Sequence, residues 1–390
     1  MATKFPDKGL SSWVIKFRIT TAAREVGSWG LDESLGSLHC KPHPISEYAW
    51  KKLMRLNPNN LGNWSIEGVK VSGTTKIERD LILSLVDLLG GEGGWEGYVT
   101  SGATESNILS VWIGRNFLQR ETPKRRICVV INDLTHYSVL KAADICNIDL
   151  LKAPLSRGKW AFDVQGLLTT VKNARGKYKG FLVPLTLGYT QTGTNDDYGE
   201  ITQRLKVLEN EVGIKTCVFI DAALNGLVLP FIRKEFRPLE NENIQSFCFD
   251  FHKTGMTPIP CGVILYKSGL RRYIEKAIPY IAENDSTLLG SRSGIPAVAA
   301  WSVMMRLGKE GFKKVIYDLI ERKLSFKSEV QKNFPEVEII DEGSLSIGLV
   351  SKNSLPDSFL LKYKLFAKKQ LLRFIDKSEK LLIYKVSFLA

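Results

Sequence analysis

Four features of this sequence carry groups with chemistry to offer, and each stands where a short apolar run ends. Lys253, with His252 beside it, follows Ser246-Phe-Cys-Phe-Asp-Phe251. Asp221 closes Val218-Phe-Ile220, and His136 lies just beyond Ile127-Cys-Val-Val-Ile131. Upstream, Thr100-Ser-Gly-Ala-Thr-Glu-Ser-Asn107 is small and polar, ends the strand-like Gly97-Tyr-Val99 and opens a helical pattern. A lysine at a strand end can form a Schiff base with an aldehyde. An aspartate at a neighbouring strand end can keep a ring nitrogen protonated and make that ring an electron sink. A flat imidazole such as His136 can stack on the ring, and a helix start built from small residues offers N–H groups to a phosphate. Together these describe pyridoxal phosphate. Singly each is ordinary: a Ser-Gly-Ala-Thr turn or a strand-end aspartate is often a helix cap, and a lone lysine is usually solvated.

The elements that must position these groups alternate in the α/β manner. Apolar runs such as Ile127-Cys-Val-Val-Ile131, Phe181-Leu-Val-Pro184, Cys217-Val-Phe-Ile220 and Gly262-Val-Ile-Leu265 read as buried strands. Helical patterns over 106–118 and 201–212 lie between them, which predicts a mostly parallel central sheet flanked by helices. Ligands of such sheets bind at the carboxyl ends of the strands, where the four features stand. Before this region, Thr75-Lys-Ile-Glu78 has capping-box spacing and starts a helix that the cluster Gly90-Gly-Glu-Gly-Gly94 stops. After it, helices over 297–307 and 311–333 precede strand-like Val337-Glu-Ile-Ile340 and Ser344-Leu-Ser-Ile-Gly-Leu-Val350, a smaller C-terminal α+β domain. The expected division is an N-terminal segment (1–63), a large cofactor-binding α/β domain (64–294) and the small domain (295–390).

Composition narrows the class. At 390 residues, 44% hydrophobic and 24% charged, the chain can bury a large core and needs no disulfide or metal staple. No apolar run is long enough to cross a bilayer and no signal-peptide pattern opens the chain, so a cytoplasmic protein is expected. The six scattered cysteines, none in a Cys-x-x-Cys pair, read as reduced and buried. A net charge of +13 is compatible with nucleic acid, but no aromatic-basic groove stands out, and the Lys-rich stretch from Lys362 to Lys385 reads as solvated surface. Neither Gly-x-x-x-x-Gly-Lys-Ser/Thr nor Gly-x-Gly-x-x-Gly nor Gly-x-Ser-x-Gly occurs. His39-Cys40-Lys-Pro-His43 lacks further clustered ligands, so no metal is expected.

Six motifs, in order over most of residues 59–312, resemble the group II pyridoxal-phosphate-dependent amino-acid decarboxylases, a branch of the fold-type I enzymes. They are Asn59-Asn-Leu-Gly62, Tyr98-Val-Thr-Ser-Gly-Ala-Thr-Glu-Ser-Asn107, Thr135-His-Tyr-Ser-Val-Leu-Lys-Ala-Ala143, Asp221-Ala-Ala-Leu-Asn-Gly226 with Pro230-Phe231, Phe251-His-Lys-Thr-Gly255 with Pro258-Ile-Pro-Cys-Gly262, and Tyr280-Ile-Ala-Glu-Asn-Asp-Ser-Thr287 with Gly290-Ser-Arg-Ser-Gly294. The resemblance implies a fold-type I transferase-like architecture and a homodimer with sites at its interface. It implies that Lys253 carries the cofactor, Asp221 faces its ring nitrogen, and His136 and Ala223 pack on the two ring faces. Ala103 and Thr104 would bind phosphate with His252 nearby, Ser291 would reach a neighbouring subunit's phosphate, and Tyr280 on a mobile loop would supply a proton. The implied reaction removes the α-carboxylate of an L-amino acid (histidine, serine, aromatic or acidic) as carbon dioxide.

The sequence departs from that pattern in places. Ala103 and Ser106 stand where glycines are usual. Asp250, three residues before the lysine, is similar to archaeal tyrosine/aspartate decarboxylases and to sphingosine-phosphate lyase, as is Leu307-Gly-Lys-Glu-Gly311. A carbon–carbon lyase of that second type is therefore the alternative reading. A third is a basic nucleic-acid-binding or scaffold protein that merely keeps the fold.

Overall fold

All the apolar runs read as strands between residues 97 and 265 fall in one sheet. The computed structural model describes residues 11–27, 35–38, 40–65, 73–122, 126–279 and 283–389. Three helices come first: α1 (Ser12–Gly27), α2 (Pro44–Leu53) and α3 (Gly73–Leu88). The α/β body follows as β1 (Trp95–Thr100), α4 (Ala103–Glu121), β2 (Arg126–Ile131), α5 (Tyr137–Ile145), β3 (Asp149–Lys152), α6 (Val164–Ala174), β4 (Tyr178–Thr186), α7 (Tyr198–Val212), β5 (Lys215–Asp221), α8 (Leu229–Ile232), β6 (Ile244–Asp250) and β7 (Gly262–Lys267). A two-stranded ribbon of β8 (Lys276–Ile278) and β9 (Glu283–Asp285) leads into the long helix α9 (Ile295–Asn333). The chain ends with β10 (Glu338–Ile340), β11 (Ser346–Ser351), α10 (Asp357–Tyr363), β12 (Gln370–Arg373) and β13 (Ser378–Ser387).

The central sheet has seven strands in the order β1-β7-β6-β5-β4-β2-β3. Pairings among β3, β2, β4, β5 and β6 are parallel, and β7 runs against both its neighbours. The apolar runs are continuous because both faces are covered. Along β5, Val218 and Ile220 join the core beneath α3, α6, α7 and α9, whereas Cys217 and Phe219 pack with α4 and α5 on the other face. The C-terminal strands form a separate four-stranded sheet, β10-β11-β13-β12. Gly308 (φ 59°, ψ −172°) breaks α9 between the two helices expected there. Among the described residues, no helix is long and apolar enough to cross a membrane.

One local expectation is overturned. Helix α3 starts at Gly73, so Thr75 lies inside it, and Glu78 does not cap it. Glu78 is fully buried instead and pairs with Arg292: Nη1 lies 2.7 Å from Oε1 and Nη2 3.2 Å from Oε2. Asn60 Nδ2 and the Val99 N–H also donate to this carboxylate, at 2.9 and 2.8 Å. Arg292 donates further to the carbonyls of Val99 and Gly62 and stacks on the Tyr98 ring. Tertiary demand wins over the local box because a buried carboxylate needs a cation more than a helix end needs a cap.

This cluster ties the 59–63 loop, α3, β1 and the 290–294 segment together directly behind the turn that β1 feeds. Replacing Arg292 by methionine leaves Glu78 charged and uncompensated. The variant should lose about 3–5 kcal/mol of stability in urea unfolding. A loss under about 1 kcal/mol would refute this account of the pair.

Candidate active site

The strand ends converge on one cavity of about 290 Å3. Its wall includes Ser101–Thr104 after β1, Leu134 and His136 after β2, and Thr186, Gly188 and Thr190 at the end of β4. Asp221 and Ala223 come from the end of β5, and Asp250, His252 and Lys253 from the end of β6. Seven of the eight expected cofactor-binding residues therefore share one wall: Ala103, Thr104, His136, Asp221, Ala223, His252 and Lys253.

The eighth does not. Ser291 is exposed, absent from this wall, and receives a hydrogen bond from Asn59 Nδ2 at 3.3 Å. Tyr280 and His39 lie outside the described residues. His43 caps α2, its Nδ1 accepting the Ile45 N–H, and Cys40 donates its thiol to the His252 carbonyl. Among the described residues no three His, Cys, Asp or Glu side chains are grouped to hold a metal.

The turn after β1 exists because two glycines touch. Gly102 has φ 154°, and a Cβ added at Gly262 on β7 would stand 2.5 Å from the Gly102 Cα. Helix α4 thus begins with no side-chain cap, its first turn open toward the cavity. Ser106, where a glycine is usual in the resembling family, is accommodated by bonding: its hydroxyl lies 2.9 Å from Thr100 Oγ1 and 3.3 Å from the Val263 carbonyl.

Asp250 has a larger part than the sequence reading gave it. Its Oδ1 accepts the Ala103 N–H at 2.6 Å, so that amide is already engaged. Its Oδ2 lies 2.8 Å from Lys253 Nζ and 3.7 Å from His252 Nε2. One buried carboxylate therefore spans the helix start and the lysine. His252 is oriented from behind, its Nδ1 lying 2.8 Å from the Cys261 carbonyl, which leaves Nε2 facing Asp250.

Asp221, 4% exposed, is fixed by neighbours the sequence reading did not single out. Asn107, one turn into α4, donates Nδ2 to Asp221 Oδ2 at 2.7 Å and to Ser138 Oγ at 2.8 Å. The Ala223 N–H donates to Oδ1 at 3.1 Å. The spacing from Thr104 to Asn107 is the signal that was available: one helical turn carries a residue from the phosphate end toward the acid.

His136 caps α5, its Nδ1 accepting the Ser138 N–H, which leaves the proton on Nε2. Burial holds its pKa below the ordinary histidine value; the charge of Asp221 opposes this, and that of Lys253 adds to it. This favours the neutral imidazole, suited to lying flat against a ring. Below β4, Tyr189 donates to the buried Asp196, whose carboxylate also accepts the Thr186 and Phe162 N–H groups. That network sets the wall at Thr186 and, through Asn132, the loop leading to His136.

The donor set fits pyridoxal phosphate. A lysine and an acid line one cavity, an open helix start borders it, and the Gly102–Gly262 approach makes a cradle that any Cβ would fill.

Comparison with known proteins agrees. The family model described as the pyridoxal-dependent decarboxylase conserved domain matches residues 79–352. A tryptophan decarboxylase of Clostridium sporogenes is 33% identical over 68% of this chain and just under two thirds (65%) of its own length. An L-aspartate decarboxylase of Thermococcus kodakarensis is 29% identical over 88% of this chain and 85% of that one. In fold, the chain is similar to L-methionine decarboxylase from Streptomyces sp. 590: TM-score 0.80, 18% identity, covering 98% of this chain and 93% of that one.

Proposed function

Since the chain belongs to the pyridoxal-dependent decarboxylase family, we propose that it removes the α-carboxylate of an L-amino acid as carbon dioxide and leaves the amine. One observation carries this reading: Lys253 and Asp221, arriving from different strands, line the same cavity as His136 and the start of α4. When bound, pyridoxal phosphate supplies the electron sink that takes up the bond pair as carbon dioxide departs.

The chain's own groups do the rest. Lys253 is the amine that would hold the cofactor, and Thr104 with the α4 N-terminus would bind its phosphate. Asp221, held by Asn107 and Ala223, presents negative charge to the ring nitrogen. His136 and Ala223, on the same wall, would hold the cofactor's ring between them. A proton must reach Cα after carbon dioxide leaves. Lys253 Nζ and His252 Nε2, both beside Asp250 Oδ2, stand where one can be delivered.

We further propose a homodimer. Ser291, exposed and off this chain's wall, would then face a second copy's phosphate. The reading is tested by incubating holoenzyme with a panel of the standard amino acids. At least one should release carbon dioxide and its amine in equal amounts. An aldehyde without carbon dioxide would point to the carbon–carbon lyase, and no reaction with any would defeat the proposal.

A further inference from the structure

One cation near the cavity has no assigned work. Lys385 lies on β13 between buried Tyr384 and Val386, in a strand whose inner residues are otherwise apolar or hydroxyl-bearing. In the antiparallel β11/β13 pair it stands opposite Gly348, so both residues share a face of the small sheet. That face lies on the loop continuing from the cavity wall: a Cβ at Gly348 would sit 3.0 Å from the Gln191 carbonyl, next to Thr190. The neighbouring positions agree. Ile383, two residues back on the same face, packs in one cluster with Tyr189 and the wall residue Leu134. Ser346, which bonds Ser387 at 2.9 Å, has its carbonyl against Gly193.

Gly348 lets this face of the sheet pack closely on Gln191 and Thr192, and Lys385, beside the wall and not part of it, is near enough to Lys253 to sense its charge. Among the described residues the Lys385 ammonium has no carboxylate partner. Burial, and after it the charge of Lys253, pushes its pKa down to about 8. A half-buried lysine without a counter-ion is costly unless a ligand brings one.

We propose that Lys385 receives the side-chain carboxylate of the substrate, which makes the preferred substrate an acidic amino acid. The inference rests on the decarboxylase reading and deepens it. Of the two carboxylates an acidic substrate carries, the retained one is the better partner. A cation gripping the departing carboxylate would stabilise its charge in the ground state and oppose its loss as neutral carbon dioxide. Contact with the retained carboxylate is equal before and after the bond breaks, so it strengthens binding and selects the substrate without raising the barrier.

The test compares holoenzyme with the variants Lys385→Met and Lys385→Arg, and Lys385→Gln should the methionine form not fold. Carbon dioxide release is measured from L-aspartate, L-glutamate, L-tyrosine and L-tryptophan, and succinate binding by calorimetry. Lys385→Met should lower kcat/KM for the better acidic substrate about 10- to 100-fold, mainly through KM, and weaken succinate by a similar factor. Aromatic substrates should stay within about threefold, and Lys385→Arg should retain most of the acidic preference. An equal fall on all four substrates, or a wild type that prefers the aromatic pair, overturns the inference and leaves the decarboxylase reading standing. A wild type that releases carbon dioxide from none of the four, nor from any other standard amino acid, strikes that reading instead. Succinate binding then decides alone: loss in Lys385→Met supports the carboxylate site, and no change overturns it.

Discussion

Lys253→Ala should abolish turnover, by about four orders of magnitude or more, and yield a colourless protein from a yellow parent. The effect is this large because the proposed mechanism uses this lysine both to hold the cofactor and to deliver a proton beside Asp250. Lys385, which senses the charge of Lys253, lies on another sheet and has no part in the Asp250 contact. The side chain of Lys253 is 13% exposed and faces the cavity, so its loss removes a wall group rather than core packing. A thermal melt within a few degrees of the parent should confirm an intact fold, whereas a shifted one would confound the assay. Lys253→Arg separates charge from nucleophilicity: the guanidinium keeps the ion pair to Asp250 yet cannot attack an aldehyde at neutral pH. Arginine should therefore fail as completely as alanine. A yellow, active variant of either kind would remove the central residue from the mechanism.

The grouping of the candidate site was legible because parallel strands covered on both faces write themselves as short apolar runs, and ligands of such sheets bind just past each run. Asp221, His136 and Lys253 could be found that way, residue by residue. What could not be found depends on distance in the chain. Glu78 satisfied a capping box with Thr75, yet its carboxylate belongs to Arg292, 214 residues onward. No local pattern carries that pairing. Asn107 was visible inside a motif, but its role needed the pitch of α4 and the place where β5 stops. Asp250 appeared as a departure from a resemblance, and only its two oxygens, one on the Ala103 amide and one on Lys253, give it a task.

Lys385 shows the same limit from the other side. In a Lys-rich tail it reads as solvated, and exposed Lys380 on the same strand bears that out. Strand alternation instead leaves Lys385 half-buried, on the face it shares with Gly348 and the 191–192 backbone. Charge composition averages over such differences; a sheet resolves them one residue at a time.

Asp221→Ala should retain the fold and some cofactor, with its yellow colour, while losing about three orders of magnitude in turnover. The separation of binding from rate is what marks the residue's role. The phosphate contacts proposed for Thr104 and the link proposed for Lys253 would not involve this carboxylate, so the cofactor should still enter. Without a buried anion at the ring nitrogen, the ring loses its positive charge and with it most of its capacity to accept the bond pair. Asn107→Ala should act through the same atom. It frees Asp221 Oδ2 from its 2.7 Å donor, and turnover should fall about 10- to 100-fold. Because both changes converge on one charge, the double variant should be no worse than Asp221→Ala alone, a non-additivity that unrelated structural damage would not produce. Supplying Asp221→Ala with a cofactor analogue methylated on its ring nitrogen, and so permanently cationic, should restore at least about tenfold of the lost rate. Full activity of Asp221→Ala, or a methylated analogue that binds without raising turnover, would show that the carboxylate serves packing and not the electron sink.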